Sequence, residues 1–428
     1  MTIRRAGSRK GLLHKQQPTL APGSGESTPL LMRKALASMD KDMDRRRFLT
    51  TTGGGTLAAV GLSALTGIGG PRAMAAPAAV PSSALPSRAA IITVLRRVAD
   101  HWIAAHGDPG NNQWANATFF SGLLSLYSLT KDARYLAYAR SWAEQNNYAL
   151  NGGSSTRIAD NQNAGQAYLD LYALEPDPHK ISAIETSLHR MTYTDQVDKN
   201  DDWWWADALH MAMPPFARLG TLRGDARYHQ KLYSLYQHTK HAEGGPGLLN
   251  PATGLWYRDK NFLPGHIVSP SGKPVVWSRG NGWVAAAHVK TLKALPPTQS
   301  DTAEYRDTLT RLVTALPPIQ RPDGFWNVNL ADPAHFPGPE SSGTSFFVYA
   351  IAYAVTTALV NRATYLPVAA RAWNGLVTTA VHPDGILGYV QRVGDRPDSS
   401  QPVTYDTTAD FAVGAFLHAG VELATLSS

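Results

Sequence analysis

The chain has 428 residues, of which 43% are hydrophobic, 17% are charged and none is cysteine. This composition predicts a folded protein with a sizeable core and excludes both disulfides and thiolate metal sites. The formal charge of +7 is uneven, because residues 1–75 hold 12 of the 40 Lys and Arg and 4 of the 33 Asp and Glu. The remainder carries 28 − 29 = −1, so a nucleic-acid-binding surface is not expected.

The first 75 residues have the features of a targeting segment. Arg45–Leu49 fits the twin-arginine pattern R-R-x-F-L, an apolar stretch follows over residues 56–69, and Ala73–Ala75 is typical of a cleavage site. The apolar stretch is shorter than the ~20 residues of a membrane-spanning helix, although a basic cluster before a membrane anchor stays an alternative. We therefore expect export by the twin-arginine route, to the periplasm or out of the cell, and no membrane attachment after signal removal. The expected organisation is a leader over residues 1–75, a linker over 76–86 and one domain over 87–428.

Two kinds of helical segment alternate along the expected domain. Segments with a charged face border water, whereas segments that are apolar all round must be buried. The charged-faced segments are Ser87–His106, Asp132–Gln145, Asp177–Arg190, Asp225–His238, Asp301–Leu316 and Thr364–Val381. The apolar segments are Ala115–Leu129, Gln162–Leu174, Trp204–Leu219, Asn281–Leu295, Thr344–Thr357 and Thr408–Leu426. Six hairpins, each with an outer and an inner helix, predict an all-α, (α/α)6 toroid.

Polar and aromatic residues cluster at the starts of the predicted inner helices. Inner helices of a toroid run parallel, so their N-terminal ends meet at one rim. The free N–H groups there favour an anionic ligand. We therefore expect one pocket at this rim.

The stretch Trp203-Trp204-Trp205-Ala206-Asp207 opens one inner helix. Tryptophan faces are a common platform for sugar rings, and an apolar setting raises the pKa of a carboxyl so that it can donate a proton. Asp160, at the start of another inner helix, would complete a carboxylate pair of the kind used in glycoside chemistry. The alternatives are a helix-start acid at Asp207 and a plain N-cap at Asp160.

The segment Trp277-Ser278-Arg279-Gly280-Asn281-Gly282-Trp283 is the second candidate. Arg279 offers a planar fork that matches a carboxylate, or it braces loops by donating to carbonyl groups. His210 lies one turn beyond Asp207 and either contacts the substrate or is a packed histidine. Arg258, in Trp256-Tyr257-Arg258-Asp259, belongs to a substrate loop or to loop packing. No metal cluster or cofactor motif is recognised in the sequence.

These segments together resemble the unsaturated glycuronyl hydrolases of glycoside hydrolase family 105, which is related to family 88. The similarity covers residues 90 to 426 and includes Asp160-x4-Gly165, Trp203–Leu209, Gly254–Tyr257, Trp277–Trp283 and Ser341–Ser345. It implies the same six-hairpin toroid. It also implies a substrate: an oligosaccharide that carries a 4,5-unsaturated uronic acid left by a polysaccharide lyase. No cofactor is implied.

The resemblance further implies roles for particular residues. Asp207 would protonate C4 of the unsaturated ring and help water to add at C5. Asp160 would lie beside the ring hydroxyls and adjust the proton affinity of Asp207. Trp205 would stack near the acid, and Trp277, Arg279 and Trp283 would bind the substrate. Family members often carry His-Gly where this chain has Arg258-Asp259. The difference leaves the identity of the released sugar open, although the Arg258 side chain can still meet the uronate carboxylate.

Two other functions stay open at this point. One is another toroid enzyme, either an ordinary glycosidase or a uronate lyase. The other is an exported sugar-binding protein without catalysis.

Overall fold

The computed structural model describes residues 80–427. The predicted leader, its twin-arginine motif and residues 76–79 of the predicted linker lie outside this part of the chain. The helices are α1 (Arg88–Ala105), α2 (Trp114–Thr130), α3 (Ala133–Gln145), α4 (Ala159–Gln162), α5 (Ala164–Leu174), α6 (Ser182–His189), α7 (Ala208–Arg223), α8 (Ala226–His241), α9 (Ser278–Ala294), α10 (Thr302–Ala315), α11 (Ser341–Thr356), α12 (Arg362–Gly375) and α13 (Asp410–Leu426). Backbone pairing between loops is limited, over residues 80–427, to isolated antiparallel bridges.

The apolar helices form a closed ring. α2 contacts α5, α4 and α5 contact α7, and the contacts continue through α9, α11 and α13 back to α2. The amphipathic helices lie outside this ring, with α3, α8, α10 and α12 each packed on the inner helix that precedes it and α1 packed on α13. This arrangement confirms the (α/α)6 toroid predicted from the alternation of helix types.

Glycines allow the helices that close the ring to touch through their backbones. Gly122 of α2 faces Gly414 of α13, and a Cβ atom on Gly414 would overlap the carbonyl oxygen of Thr118. Close backbone contact is possible only where no side chain intervenes. The first and last inner helices therefore close the ring at a fixed, short separation.

Aromatic rings from different inner helices meet near their N-terminal ends. The Trp283 ring of α9 lies 4.4 Å from Phe346 of α11, 4.6 Å from His210 of α7 and 6.0 Å from Phe411 of α13, measured between ring centroids. Phe411 lies 5.3 Å from Trp114 of α2. Because each of these residues belongs to the first half of its helix, the N-terminal ends converge as expected.

Predicted elements differ from the structure in detail, among them the two inner helices that carry the candidate acids. The inner helix expected from Trp204 begins only at Ala208, because Trp205 is extended and forms an antiparallel bridge with Asp259. The inner helix expected from Gln162 is interrupted at Asn163 and has a short first part, α4. No helix within residues 80–427 is long and apolar enough to cross a membrane.

Candidate active site

Asp207 lies at the N-terminal end of α7 but does not cap it. Asp207 is 7% exposed, and its side chain makes no capping hydrogen bond to the helix. The Oδ1 atom is buried and has no hydrogen-bond partner within residues 80–427. Burial raises the pKa of Asp207, while the positive charges of Arg258 and Arg279 oppose that rise. A buried carboxylate oxygen without a donor is costly to maintain, so the structure favours a functional role over a helix-start acid.

A hairpin and an asparagine bring Arg258 to Asp207. The turn over residues 250–255 closes with the Asn250 N–H donating to the Leu255 carbonyl at 2.8 Å. Asn281 of α9 holds both backbone groups of Trp256: its Oδ1 accepts from the Trp256 N–H at 2.8 Å, and its Nδ2 donates to the Trp256 carbonyl at 2.9 Å. The Ala206 N–H donates to the Arg258 carbonyl at 2.7 Å. These bonds place residue 258 beside the start of α7.

The Arg258 guanidinium is shared between two carboxylates. Its Nε donates to Asp207 Oδ2 at 3.3 Å, and its Nη1 donates to Asp259 Oδ2 at 2.8 Å. Asp259 is itself fixed, because its Oδ1 accepts from the Asn261 N–H at 2.8 Å. The remaining nitrogen, Nη2, has no hydrogen-bond partner in the described part of the chain, and the guanidinium lies 5.6 Å from the Trp204 ring. Arg258 is thus oriented on one side and available for an anion on the other.

Asp160 is the second carboxyl group of this site. It lies inside α4, whose N-cap residue is Ile158, so Asp160 is not the plain N-cap that the sequence left open. Burial raises the pKa of Asp160 to about 7, the charge of Asp207 adds to the rise, and Arg258 opposes it. Its carboxylate accepts no hydrogen bond from the described residues. Asp207 and Asp160 are therefore electrostatically coupled, as a carboxylate pair requires.

Arg279 is buried and braces a neighbouring loop. Its Nη1 donates to the Gln391 carbonyl, and its Nη2 donates to the carbonyls of Arg392 at 3.2 Å and Gly394 at 3.4 Å. The guanidinium also lies 4.4 Å from the Trp277 ring, and burial lowers its pKa to about 10. In this structure the Arg279 guanidinium, predicted to bind a carboxylate, donates instead to carbonyl groups of a loop of the protein. Its contact with a substrate stays a prediction.

The other predicted binding residues are mostly enclosed. Trp277, Trp283 and Trp205 are 1%, 1% and 5% exposed, whereas Trp204 is 39% exposed. The Trp277 Nε1 donates to Gln391 Oε1 at 2.9 Å. Trp204 is therefore the solvent-exposed ring of the tryptophan triplet, although the sequence hypothesis selected Trp205.

His210 lies beneath the site, against Trp283. Its side chain is fully buried, and neither ring nitrogen has a hydrogen-bond partner in the described region. Burial holds the pKa of His210 well below its usual range, so the ring is neutral. The structure gives His210 the environment of a packed ring. Its predicted contact with a substrate remains untested.

The loop over residues 391–400 was missed by sequence reasoning. It receives the bonds of Arg279 and Trp277 and carries Asp395 and Arg396 to a cavity of about 290 Å³. Asp410, the first residue of α13, is a further carboxyl whose pKa is raised to about 6 by burial. Nothing in the loop's local sequence marks it, since its role depends on contacts with residues more than a hundred positions away. Within residues 80–427, no group of three His, Asp or Glu side chains could hold a metal ion.

Comparison with known proteins identifies the family. Residues 92–427 match the family model described as Glycosyl Hydrolase Family 88. The chain belongs to glycosyl hydrolase family 88. This family 88 hydrolase is 26% identical over 329 residues, 73% of the chain and 84% of the relative, to the unsaturated 3S-rhamnoglycuronyl hydrolase of Formosa agariphila.

Several solved structures are also similar to this chain. A family 88 glycosyl hydrolase from Bacteroides vulgatus is 30% identical, with a TM-score of 0.74 and coverage of 79% of this chain and 99% of that one. A protein named as a polysaccharide lyase is 34% identical, with a TM-score of 0.74 and coverage of 79% and 98%. A family 105 structure from C. acetobutylicum shares the fold at 22% identity and a TM-score of 0.63, with coverage of 77% and 99%. The family 88 hydrolase is thus a glycoside hydrolase, and the resemblance predicted from its sequence is confirmed.

Proposed function

We propose that this hydrolase removes a 4,5-unsaturated uronic acid from the non-reducing end of oligosaccharides produced by polysaccharide lyases, and that it does so by hydrating the double bond. The observation that supports this most is the pairing of Asp207 with Arg258: a buried carboxyl with an unpartnered oxygen lies beside a guanidinium with an unpartnered nitrogen. A uronate ring offers a carboxylate for the second group and an electron-rich C4 for the first.

The proposed first step is binding of the uronate carboxylate to Arg258. Its Nη2 is the atom available for this contact, and the exposed Trp204 ring lies beside the same guanidinium. A carboxylate on Arg258 reduces the positive charge that Asp207 experiences. The proton affinity of Asp207 therefore rises when substrate binds.

The proposed chemical step is addition of water across the C4–C5 double bond. Asp207 transfers its proton to C4, and water bonds to C5 while losing a proton to the resulting Asp207 carboxylate. The product at C5 is a hemiketal, whose opening frees a hemiacetal at C1 that expels the remaining sugar as an alcohol. No net proton is gained or lost, and the glycosidic bond breaks without direct attack at C1.

Asp160 is proposed to keep the pair at a single proton. Burial and the charge of Asp207 raise the pKa of Asp160 to about 7, so the two carboxyl groups hold one proton between them, and this proton is available to Asp207 once a uronate carboxylate binds Arg258. This is the behaviour of two carboxyl groups that share a site. Asp160 can also accept hydrogen bonds from ring hydroxyls, because the described residues leave its oxygens free.

The test is the ultraviolet absorbance of the double bond during incubation with unsaturated disaccharides from pectin, glycosaminoglycan, ulvan or arabinogalactan. The proposal expects absorbance to fall while free sugar appears. A rise in absorbance on an intact polysaccharide would instead identify a lyase, which the name of one 34% identical protein makes a specific alternative. Saturable binding without turnover would identify a sugar-binding protein.

We also propose that the protein is exported by the twin-arginine route. The motif at Arg45–Leu49 and the absence of cysteine support this. Cell fractionation of wild type and an Arg45→Lys, Arg46→Lys variant tests it. Retention of the variant in the cytoplasm is the expected result, and unchanged export would contradict the proposal.

A further inference from the structure

Two prolines interrupt the hydrogen bonds of α7, the helix that follows Asp207. Pro214 and Pro215 lie inside this helix, and proline has no backbone N–H to donate. In a regular α-helix the carbonyl of residue 210 accepts from the N–H of residue 214. His210 is fully buried, so its carbonyl group takes a donor from outside the helix. This carbonyl belongs to the first turn of α7, next to Asp207.

Gln166 of α5 donates to this carbonyl group. Gln166 is 2% exposed, and its Nε2 lies 2.7 Å from the His210 carbonyl oxygen. The same nitrogen donates to Asn163 Oδ1 at 2.6 Å, and Gln166 Oε1 accepts from Lys290 Nζ at 2.8 Å. Because a carbonyl oxygen can only accept, the amide nitrogen of Gln166 must be the atom that faces His210. A single amide therefore connects α5 with α7 and α9.

Asn163 connects the same amide to Asp160. Asn163 lies between α4 and α5, and its N–H donates to the Asp160 carbonyl at 3.3 Å. Its Nδ2 donates at 2.8 Å and 2.9 Å to two oxygen atoms of α2, which leaves its Oδ1 to face Gln166. On the other side, the His210 N–H donates to the Asp207 carbonyl at 3.0 Å. The third residue after each acid is thus joined to its counterpart through one glutamine side chain.

We propose that Gln166 is a positioning residue, which holds the starts of α4 and α7 at the separation that lets Asp160 and Asp207 share one proton. The inference rests on the proposed function, since it gives a structural cause for the paired behaviour of the two acids. Gln166 acts through the two helix starts, because both of its amide hydrogens are donated to protein groups. The proline pair makes α7 depend on this bond, because the helix itself offers no N–H at residue 214.

The first part of the test asks whether the His210 carbonyl is the partner that matters. Gln166→Leu removes the donor, and Pro214→Ala restores an N–H at the position that ordinarily serves residue 210. The loss of melting temperature caused by Gln166→Leu should be smaller in the Pro214→Ala protein than in the wild type. Equal losses in both proteins would overturn the inference. The variants are expected to fold, because Arg218 still joins α7 to the carbonyl of residue 166 at 3.2 Å and to the Asp170 carboxylate.

The second part compares the Gln166→Leu, Pro214→Ala double variant with Pro214→Ala alone, so that both proteins keep a donor inside α7. The kcat on an unsaturated disaccharide, followed by double-bond absorbance, is expected to be about tenfold to a hundredfold lower in the double variant. The alkaline limit of kcat/KM is expected at lower pH, because acids that lie further apart hold their shared proton less tightly. The other charged groups around the acids, Arg258, Arg279 and Asp259, are unchanged.

Ser121→Ala is the matched control. Ser121 Oγ of α2 accepts from Lys290 Nζ at 2.5 Å, so this variant also removes a bond of Lys290 but keeps the link between α5 and α7. It should retain the wild-type kcat and alkaline limit. An equal loss of kcat in Ser121→Ala, or a double variant with the kcat and pH profile of Pro214→Ala, would overturn the inference and leave the proposed function standing. A wild type that consumes no unsaturated disaccharide would contradict both.

Discussion

Replacing Arg258 with Gln should move the alkaline limit of activity to higher pH. Arg258 Nε lies 3.3 Å from Asp207 Oδ2, and the two side chains are 12% and 10% exposed. Two unit charges about 4 Å apart interact by about 1 kcal/mol in water and about 4 kcal/mol at an effective dielectric constant of 20. The low exposure places this pair nearer the second value. Arg258 therefore stabilises the ionised form of Asp207 by a few kcal/mol.

The sign of the pH effect follows from the role proposed for Asp207. A general acid is active only while it holds its proton, so activity is lost as pH rises through its pKa. Removing the cation favours the protonated form, which extends activity towards higher pH. Since kcat/KM reports the free enzyme, in which Arg258 still contacts Asp207, the shift should be larger in kcat/KM than in kcat. KM should also increase because the uronate loses its partner.

The assay is a pH profile of double-bond absorbance for wild type, Arg258→Gln and Arg258→Lys. The lysine variant keeps a positive charge and should lie between the other two. Thermal melting at each pH separates these effects from unfolding, since loss of one partner of a buried ion pair is destabilising. An alkaline limit of Arg258→Gln that stays in place or moves to lower pH would refute the electrostatic reasoning.

Three further predictions concern single residues. Asp207→Asn should lower kcat by about 10²- to 10⁴-fold with little change in melting temperature, whereas a large loss of stability measured by calorimetry would indicate a structural acid. The pKa of Asp160 is about 7 in the folded protein and 3.8 in an unfolded chain. The free energy of unfolding therefore falls as pH rises from about 4 to 7, because only the unfolded chain ionises this group readily in that range. Asp160→Asn should therefore raise the melting temperature more at pH 8 than at pH 5, and an equal change at both would contradict that pKa. Gly414→Ala should lower the free energy of unfolding, measured with denaturant, by about 1–3 kcal/mol or more, because the new Cβ atom would overlap a backbone carbonyl. Gly107→Ala, which has open space around it, should leave this free energy nearly unchanged.

The toroid was predictable because its signal repeats along the chain. Six amphipathic and six apolar segments alternate, and each kind has only one environment that satisfies its side chains. The detailed helix starts were less predictable. Trp204 and Trp205 have no local feature that prevents a helix. They lie outside the helix because Trp205 forms a bridge with Asp259 and the Ala206 N–H donates to the Arg258 carbonyl, which are contacts with residues distant in sequence.

The candidate site was predictable where its residues open inner helices. Asp160 and Asp207 were identified in this way, since the rim of a toroid brings helix starts together. The partners of Arg279 were not predictable, because they are backbone carbonyls of a loop without a motif. The direct contact of Arg258 with Asp207 was also missed, since it arises from the hairpin that Asn281 holds in place.

The central claim is that Asp207 supplies a proton to C4, and it is tested most directly by running the reaction in D2O. NMR of the released uronic acid at early times should show one deuterium at C4 with a single stereochemistry, together with loss of the double-bond absorbance. Asp207→Asn should form this product at a rate lower by several orders of magnitude. A released uronic acid that keeps its double bond and carries no deuterium at C4 would contradict the account, because the glycosidic bond would then have broken by direct attack at C1.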